Sequence, residues 1–459
     1  MSKIIKLRKG LDINLQGKAA ESLVEAPLAK EYAVSPLDFE NVTPKLLVKV
    51  GDKVKAGTPL FFDKNNQRVL FCSPVSGEVS AVNRGEKRKI LNVVVAADAN
   101  QESEEFAVLD LKKASRDEVI EQLLKSGLWT MILQRPYGIV ANPADQPKAV
   151  FVSAFDSAPL APDFNFALKG EKNALQKGME VLAVLAGGKP HVSVKANAEG
   201  EMTALNGVEL HTFAGKHPVG NVGVQIHHID RIAKGDVVWT VNIQDVALIG
   251  RFFQKGIVDM QKKVALTGPL AYGRQYYNVL PGMPVSAILR SNVQVGVTAR
   301  IVAGNVLSGH QVNMDETISI YDNQFTVLAE GDDKHEFMGW IIPRFSAFNA
   351  GKTDPAILLD NCVTRWLFGP KQYQWDARMK GGRRAIIVSG EYDKVFPMDI
   401  YPEYLIKAMI AGNIDQMEAL GAYEVAPEDF ALCEYVCTSK MPLQAIVRQA
   451  LDNLKKEIE

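Results

Sequence analysis

Cysteine is scarce in this chain: four residues in 459, at positions 72, 362, 433 and 437. So few thiols cannot form a disulfide framework for a chain of this length. The fold must rest on a hydrophobic core, and the thiols are expected to be reduced, as in the cytoplasm. Long apolar runs are missing as well. The most apolar stretch, VLAVLAGG at 181–188, stops after eight residues, whereas a membrane-spanning helix needs about 18 or more. The N-terminus MSKIIKLRKGLDI is basic but has no continuous apolar segment, so it does not read as a secretory signal. Work at a membrane would therefore depend on a partner that holds the chain there. An excess of one charge is also absent. Lys plus Arg number 52 and Asp plus Glu 53, which leaves no global field for holding nucleic acid or an anionic bilayer.

The sequence also lacks most motifs that announce chemistry. A dinucleotide site needs a glycine-rich turn directly after a strand, so that backbone amides can reach the phosphates. Neither GxGxxG nor a P-loop occurs. The nearest turn, Gly187-Gly188-Lys189, follows a helical run and reads as a helix C-cap. There is no HExxH, no nucleophile elbow and no convincing triad. Five of the seven histidines, His191, His211, His217, His227 and His228, fall close together, with His310 and His335 outside. No HxxxH helix or CxxC flanks them, and His227 and His228 are expected on a strand, facing opposite ways. We therefore expect no metal, and read the cluster as polar residues that line a cleft or satisfy backbone groups. Cys433 and Cys437 stand four apart, on one face of an expected helix, but a zinc ion or iron–sulfur cluster needs four ligands. Neither Cys72 nor Cys362 has a paired partner nearby, so the pair reads as two reduced thiols. The basic turn Arg84-Gly85-Glu86-Lys87-Arg88-Lys89 reads as solvated charge. The residues alone favour binding or structural work over catalysis.

What is present is an ordinary globular composition, 47% apolar and 23% charged, long enough for about three domains. The pattern is that of an α/β multidomain protein. Residues 41–96 alternate short strands with Gly and Asx reversals, and their VxVGDxVxxGxxLF…SPxxGxV layout resembles the barrel-sandwich fold of biotinyl and lipoyl domains. The expected hairpin tip, Asp63-Lys64-Asn65-Asn66-Gln67, lacks the carrier dipeptide, so Lys64 reads as a solvated lysine rather than a swinging arm. We assign 1–100 to this domain. From about 101 to 257, strands and helices alternate in Rossmann-like fashion. Ser115 to Glu118 form a capping box. A strand is expected at Ala149 to Ala154, a helix at Glu171 to Ala186, strands near 191–195, 208–213 and 236–243, and a helix at Val246 to Phe253. Residues 258–335 return to short strands, at 263–266, 300–302, 317–320 and 325–328, around one helical turn at 285–289. This is a β-grasp (SLBB-like) unit. Residues 336–459 form a C-terminal helical region. Its last helix starts at Pro442 and carries the apolar stripe Leu443, Ile446, Val447, Ala450, Leu451 and Leu454.

Taken together, IKLRKGLDINLQGK, the 46–90 segment with SPVSGEVSAVNRGEKRKI, RPYGIVANPADQPKAVFVSAFDSAPLAPD, HPVGNVGVQIHHIDRI and VFPMDIYPEYLIKAMIAGNIDQMEALGAYEVAPEDFALCEYVC resemble the A subunit of the bacterial Na+-translocating NADH:quinone oxidoreductase. The resemblance runs through nearly the whole chain, in order. It implies a peripheral subunit of a membrane complex, on the cytoplasmic face of the inner membrane. That complex passes electrons from NADH through flavins and iron–sulfur centres to ubiquinone or menaquinone and exports Na+. The other subunits of the pump are then the expected partners, with no nucleic acid.

The same resemblance extends to the flavin- and NADH-binding subunit of respiratory complex I and to the C subunit of the Rnf complex. Where those relatives hold flavin in a glycine-rich loop, this chain has Leu133-Gln134-Arg135-Pro136-Tyr137-Gly138. Of their cluster cysteines only Cys433 and Cys437 remain, and Thr438 stands where the family shows proline. The resemblance thus implies that this chain binds no cofactor itself and has a vestigial iron–sulfur site. It also associates the subunit with quinone binding, in a cleft we expect near Arg135, Tyr137, Phe155, Asp156 and His228; the alternative is that quinone reacts wholly on a membrane partner that this subunit only caps. The competing expectations are a free-standing flavin- or NADH-binding oxidoreductase and a carrier domain modified on Lys64.

Overall fold

The computed structural model describes residues 4–331, 372–379 and 381–458. His335, Cys362 and the opening of the expected C-terminal region, 336–371, lie outside the described residues.

Alternating polarity folds the first unit into two small sheets. One is ordered Glu31–Val34, Ile90–Ala97, Gly77–Arg84, Lys53–Val54, and the other Pro44–Leu46, Pro59–Asp63, Leu70–Cys72. Val54, Leu60, Phe61, Phe71, Val79, Val93 and Val95 fill the space between them, and the Phe61 and Phe71 rings stack at 4.7 Å. This is the expected barrel sandwich. Lys64 is exposed in the turn after Pro59–Asp63. The boundary at residue 1 does not follow strand pairing, however. Ile4–Lys6 runs parallel to Glu209–Ala214 in the second unit, and Leu23–Glu25 runs parallel to Tyr276–Val279 in the third.

The second unit is a seven-stranded sheet, ordered Ile4–Lys6, Glu209–Ala214, His191–Lys195, Ala149–Ser153, Val238–Asn242, Ile132–Arg135, Ile139–Val140. The first five strands are parallel, and the last two form an antiparallel hairpin at the edge. Because successive side chains leave a strand on opposite sides, each inner strand feeds two cores. Val150, Val152, Trp239 and Val241 join the main core with the helices Lys172–Ala186 and Ile243–Lys255. Ala149, Phe151 and Val238 face the C-terminal helices and pack with Phe396, Leu405, Leu432, Val447 and Leu451. The near-continuous apolar runs of these strands follow from burial on both faces.

Local signals hold where they are strong. Ser115 and Glu118 form the capping box of Arg116–Lys125, and Gly187, at φ 68°, ends Lys172–Ala186. Two expectations fail. His227 and His228 lie in a helix, Val222–Ile229, not a strand. Residues 317–320 make a single bridge, Thr317 to Pro284, and then a turn in which the Ser319 N–H donates to Asp322.

The third unit is a mixed six-stranded sheet, ordered His310–Val312, Ala299–Ala303, Gln324–Ala329, Lys262–Thr267, Tyr276–Val279, Leu23–Glu25, with one short helix, Ser286–Leu289. The C-terminal region comprises the helices Tyr392–Val395, Pro402–Ala411, Ile414–Ala419, Ala431–Val436 and Leu443–Ile458 among the described residues. Leu443, Val447, Ala450, Leu451 and Leu454 are buried, as the stripe required.

The helices Lys172–Ala186 and Ile243–Lys255 meet backbone to backbone. A Cβ on Gly250 would fall 1.8 Å from the Ala174 carbonyl oxygen, and one on Gly178 would fall 2.1 Å from that of Val246. Neither obstacle is a side chain that could rotate away. Gly250→Ala should therefore lower stability by about 1–3 kcal/mol or more, since overpacked cores respond on that scale. The drop would be read as a lower urea midpoint at unchanged slope.

Candidate functional site

In a parallel sheet, a crevice opens at the carboxyl ends of two neighbouring strands whose crossovers lead off in opposite directions. Here the chain leaves Ala149–Ser153 for His191–Lys195 on one side, and returns from Glu209–Ala214 to Val238–Asn242 on the other. A cavity of about 510 Å³ lies at that switch point. Ser153, Phe155 and Asp156 line it from the end of one strand, and Thr240, Asn242 and Asp245 from the end of the other. The start of Val222–Ile229 contributes Asn221 and Val222, the β-grasp unit Tyr321 and Asn323, and the C-terminal region Glu428, Gln444 and Arg448.

Of the five residues expected in a cleft, Arg135, Phe155 and Asp156 line this cavity, and Tyr137 and His228 do not. Tyr137 is buried among the C-terminal helices at φ 83°, and its carbonyl accepts from Arg448 Nη1 at 2.6 Å. His228 sits near the far end of its helix, where Nε2 donates to the Pro397 carbonyl at 3.0 Å, and burial lowers its pKa. The neighbouring His227 is fixed to the same region. Its Nδ1–H donates to Glu424 at 2.6 Å, and its Nε2 accepts from the Asp399 N–H at 2.8 Å. The two adjacent histidines thus fasten the α/β sheet to the C-terminal helices.

Arg135 is 4% exposed and fully committed. Nη1 donates to Asp429 Oδ2 at 3.1 Å, and Nη2 pairs with Glu428. Asp429 Oδ2 also accepts from the Ala426 N–H at 2.9 Å. Arg448, the other cation of the lining, is held by Asp452 at 2.6 Å. Beside these paired cations the cavity presents the further carboxyls of Glu40, Asp156 and Asp245. Burial raises the Asp156 pKa against the pull of the Ala158 and Ser157 N–H groups.

Asp245 is the group that sequence reasoning missed. It lies in the first turn of Ile243–Lys255, is 2% exposed, and its Oδ1 meets no donor among the described residues. Burial pushes its pKa up to about 6, against the opposing pull of Lys262. Its place two residues after Ile243, in a helix whose next residues Val246, Ala247, Leu248 and Ile249 are all apolar, was the available signal. His217 was read only as part of the histidine cluster, yet it too lines the cavity. The Ser157 hydroxyl accepts from the Gly220 N–H at 2.8 Å and donates to His217 Nδ1 at 3.0 Å. Asp12 takes the backbone N–H of His217 rather than its ring, so the carboxylate–imidazole bond of a catalytic triad is not formed.

Cys433 and Cys437 are both buried. Their helix ends at Val436, so Cys437 lies beyond the helical face the spacing suggested. Its Sγ accepts from the Tyr392 hydroxyl at 2.9 Å. Burial raises the Cys433 thiol far above its usual pKa, which opposes the thiolate that metal binding needs.

Three family models match the chain in order: the NqrA N-terminal barrel-sandwich hybrid domain at residues 5–98, the NqrA second alpha/beta domain at 114–258, and the NQRA C-terminal domain at 263–314. The A subunit of the Na(+)-translocating NADH-quinone reductase of Neisseria meningitidis serogroup A is 34% identical over 457 residues, covering 99% of this chain and 100% of that protein. Its counterpart of the same name from Serratia proteamaculans is 34% identical over 459 residues, with the same coverage. The chain belongs to the NqrA family, the A subunits of Na(+)-translocating NADH-quinone reductases.

The NqrA match embraces all three β-containing units, and it starts at residue 5, within the strand that the α/β sheet borrows. Among solved structures, the NAD+-reducing NiFe-hydrogenase in its air-oxidised state is 12% identical, with a TM-score of 0.37 over 48% of this chain and 47% of that one. That likeness is too slight to locate a site.

The buried pair and the buried imidazole each give a measurable expectation. Arg135→Met strands Asp429 without its partner and should cost about 3–5 kcal/mol. Adding Asp429→Asn should recover much of that loss in the same urea titration, because a neutral amide needs no counter-charge. His217, 4% exposed, has its pKa pushed down to about 4 by burial. The unfolded chain therefore takes up a proton near pH 6.5 that the folded protein refuses until about pH 4. Stability carried by this group is complete above pH 6.5 and is lost as pH falls towards 4. Between pH 7 and pH 5 the parent protein should lose about 2 kcal/mol more than His217→Gln, compared by urea midpoints at the two pH values.

Proposed function

We propose that this chain serves as the A subunit of a Na+-pumping NADH:quinone oxidoreductase, holds no flavin or iron–sulfur cluster of its own, and offers its switch-point cavity to a quinone head group. Family membership supports the role within the complex. The observation that carries the ligand choice is the charge of the cavity. Its two cations are spent on Asp429, Glu428 and Asp452, while three further carboxyls, those of Glu40, Asp156 and Asp245, face the same space. Such a lining offers no free cation to the phosphate of a flavin mononucleotide or a dinucleotide, and its unpaired carboxyls oppose that charge. A quinone ring is neutral and flat, and needs apolar walls and a few donors. Met131, Leu133, Phe155, Phe164 and Leu307 supply walls. Asn242 and Asn323 both line the cavity and use their side-chain oxygens on Gln244, which leaves their NH2 groups as donors suited to quinone carbonyls. Asp245, with its unpartnered Oδ1, adds a carboxyl that is half protonated near pH 6.

No helix among the described residues is long and apolar enough to cross a membrane. Attachment in this reading runs through the membrane subunits, on the cytoplasmic face, and those subunits carry the NADH, flavin and Na+ steps. The test is to tag this chain, purify it from gently solubilised native membranes, and assay Na+-stimulated NADH:quinone reductase activity in the eluate. A photoreactive quinone analogue is then applied to the active complex. Activity that co-purifies, with labelling of segments 153–158 or 240–245 and no flavin or cluster absorbance in the separated chain, is the expected result. Recovery of this chain alone would overturn its place in the complex, and labelling confined to other subunits would overturn the quinone cavity.

A further inference from the structure

The amino ends of the same parallel strands carry a second constellation, away from the cavity at their carboxyl ends. His191 opens its strand and Glu209 opens the next, and the two are register partners. His211 follows Glu209 by two residues, so all three side chains leave the sheet on one face. His191 Nδ1 stands 2.9 Å from His211 Nε2 and 3.4 Å from Glu209 Oε2. One ligand atom from each of the three lies within 4.8 Å of the other two. The His191 ring is held flat against Phe151, with centroids 4.6 Å apart and planes 14° apart, and the His211 ring stacks on it at 5.2 Å.

Four ligands around zinc, with bonds of about 2.0–2.1 Å, sit roughly 3.3 Å from one another. The spacing of Glu209 from His191 already meets that figure, and the two nitrogens need to part by only about 0.4 Å to meet it. We propose that His191, His211 and Glu209 form a binding site for a borderline divalent transition metal, zinc foremost, with a fourth position open to water or to a ligand from outside the chain. Two imidazoles and one carboxylate suit zinc, nickel, cobalt or copper, whereas magnesium and calcium call for oxygen-only shells. In the metal-free protein one of the facing nitrogens donates its hydrogen to the other. Binding moves that hydrogen to the far nitrogen of the same ring, which leaves both facing nitrogens as ligands and needs no net proton release from the neutral pair. The nearby carboxylate Asp230 is held by Lys148 at 2.7 Å and stays outside the set. An ion here would clamp the start of His191–Lys195 to the start of Glu209–Ala214, closing the crossover that joins them.

The test uses the untagged full chain, stripped with a chelator under reducing conditions, and zinc titrated by calorimetry. One ion per chain with micromolar or tighter affinity is expected, together with a rise in Tm that follows zinc concentration and is absent with magnesium. Loss of an outer-shell partner alone weakens metal sites on the order of tenfold, so His211→Ala and Glu209→Gln should each weaken binding by at least about that factor. Both positions lie at the partly open sheet end, and circular dichroism of the two variants checks that they fold. X-ray absorption of the zinc complex should show nitrogen and oxygen neighbours without sulfur. No saturable binding, unchanged affinity in both folded variants, or a sulfur-containing shell that points to the cysteines would each overturn the site.

Discussion

A guanidinium cannot stay in a protein interior alone, because the cost of leaving water exceeds what a packed core returns. Arg135 is buried at the end of the antiparallel strand Ile132–Arg135, next to the sheet edge, and is answered by two consecutive carboxylates from a segment far away in sequence, Glu428 and Asp429. That requirement decides where the C-terminal helices must sit. With the pair made, the turn before Ala431–Val436 is pinned over the carboxyl ends of the central strands, and it becomes a wall of the cavity. The His227–Glu424 and His228–Pro397 bonds hold the same region from the neighbouring helix. The charge balance of the cavity follows as well, since its best cation is consumed in holding the molecule together.

What could be read from the sequence divides along the range of the interaction. The Ser115–Glu118 capping box and the Gly187 terminator are decided within a single turn, and both stand where the sequence put them. The stripe from Leu443 to Leu454 needed only helical periodicity. His227 and His228, expected on a strand, lie in the helix Val222–Ile229, although Val222, Val224 and Ile226 alternate with other residues at strand spacing. Burial of Val224 and Ile226 against the C-terminal core overrides that local preference. Three-residue strands such as Ile4–Lys6 carry too little pattern to be found, because their identity lies in a partner elsewhere.

The candidate site was legible in the same proportion. Phe155 and Asp156 follow the carboxyl end of Ala149–Ser153, where open sheets of this kind form crevices, whereas Arg135 pairs with the amino-terminal residue of Val238–Asn242 and still lines the cavity. His228 is expected at a strand end, but the helix that holds it carries it away from the crevice that the first residues of that helix help to line. Asp245 and His217 gave no periodic signal. Their significance comes from the burial that perturbs them, and burial is a property of three dimensions. The pairing of His191 with Glu209 is likewise a matter of register between strands.

The first residues of the chain have a part in this architecture beyond sealing sheet edges. Ile4 finds its partner in Thr212, and Leu23 finds its partner in Tyr276, so on a ribosome the earliest of these segments to emerge waits for much of the chain to follow. Until then the sheets they complete present bare edges, and two short extended segments drift without partners. Order of synthesis and order of assembly are thus reversed for this stretch. The barrel sandwich between Glu31 and Ala97 can close early, while the strap that binds it to its neighbours must wait for Glu209–Ala214 and Tyr276–Val279. A fusion placed ahead of Ile4 would be carried through that later step, which makes the stretch before Ile4 a poor place for a bulky tag.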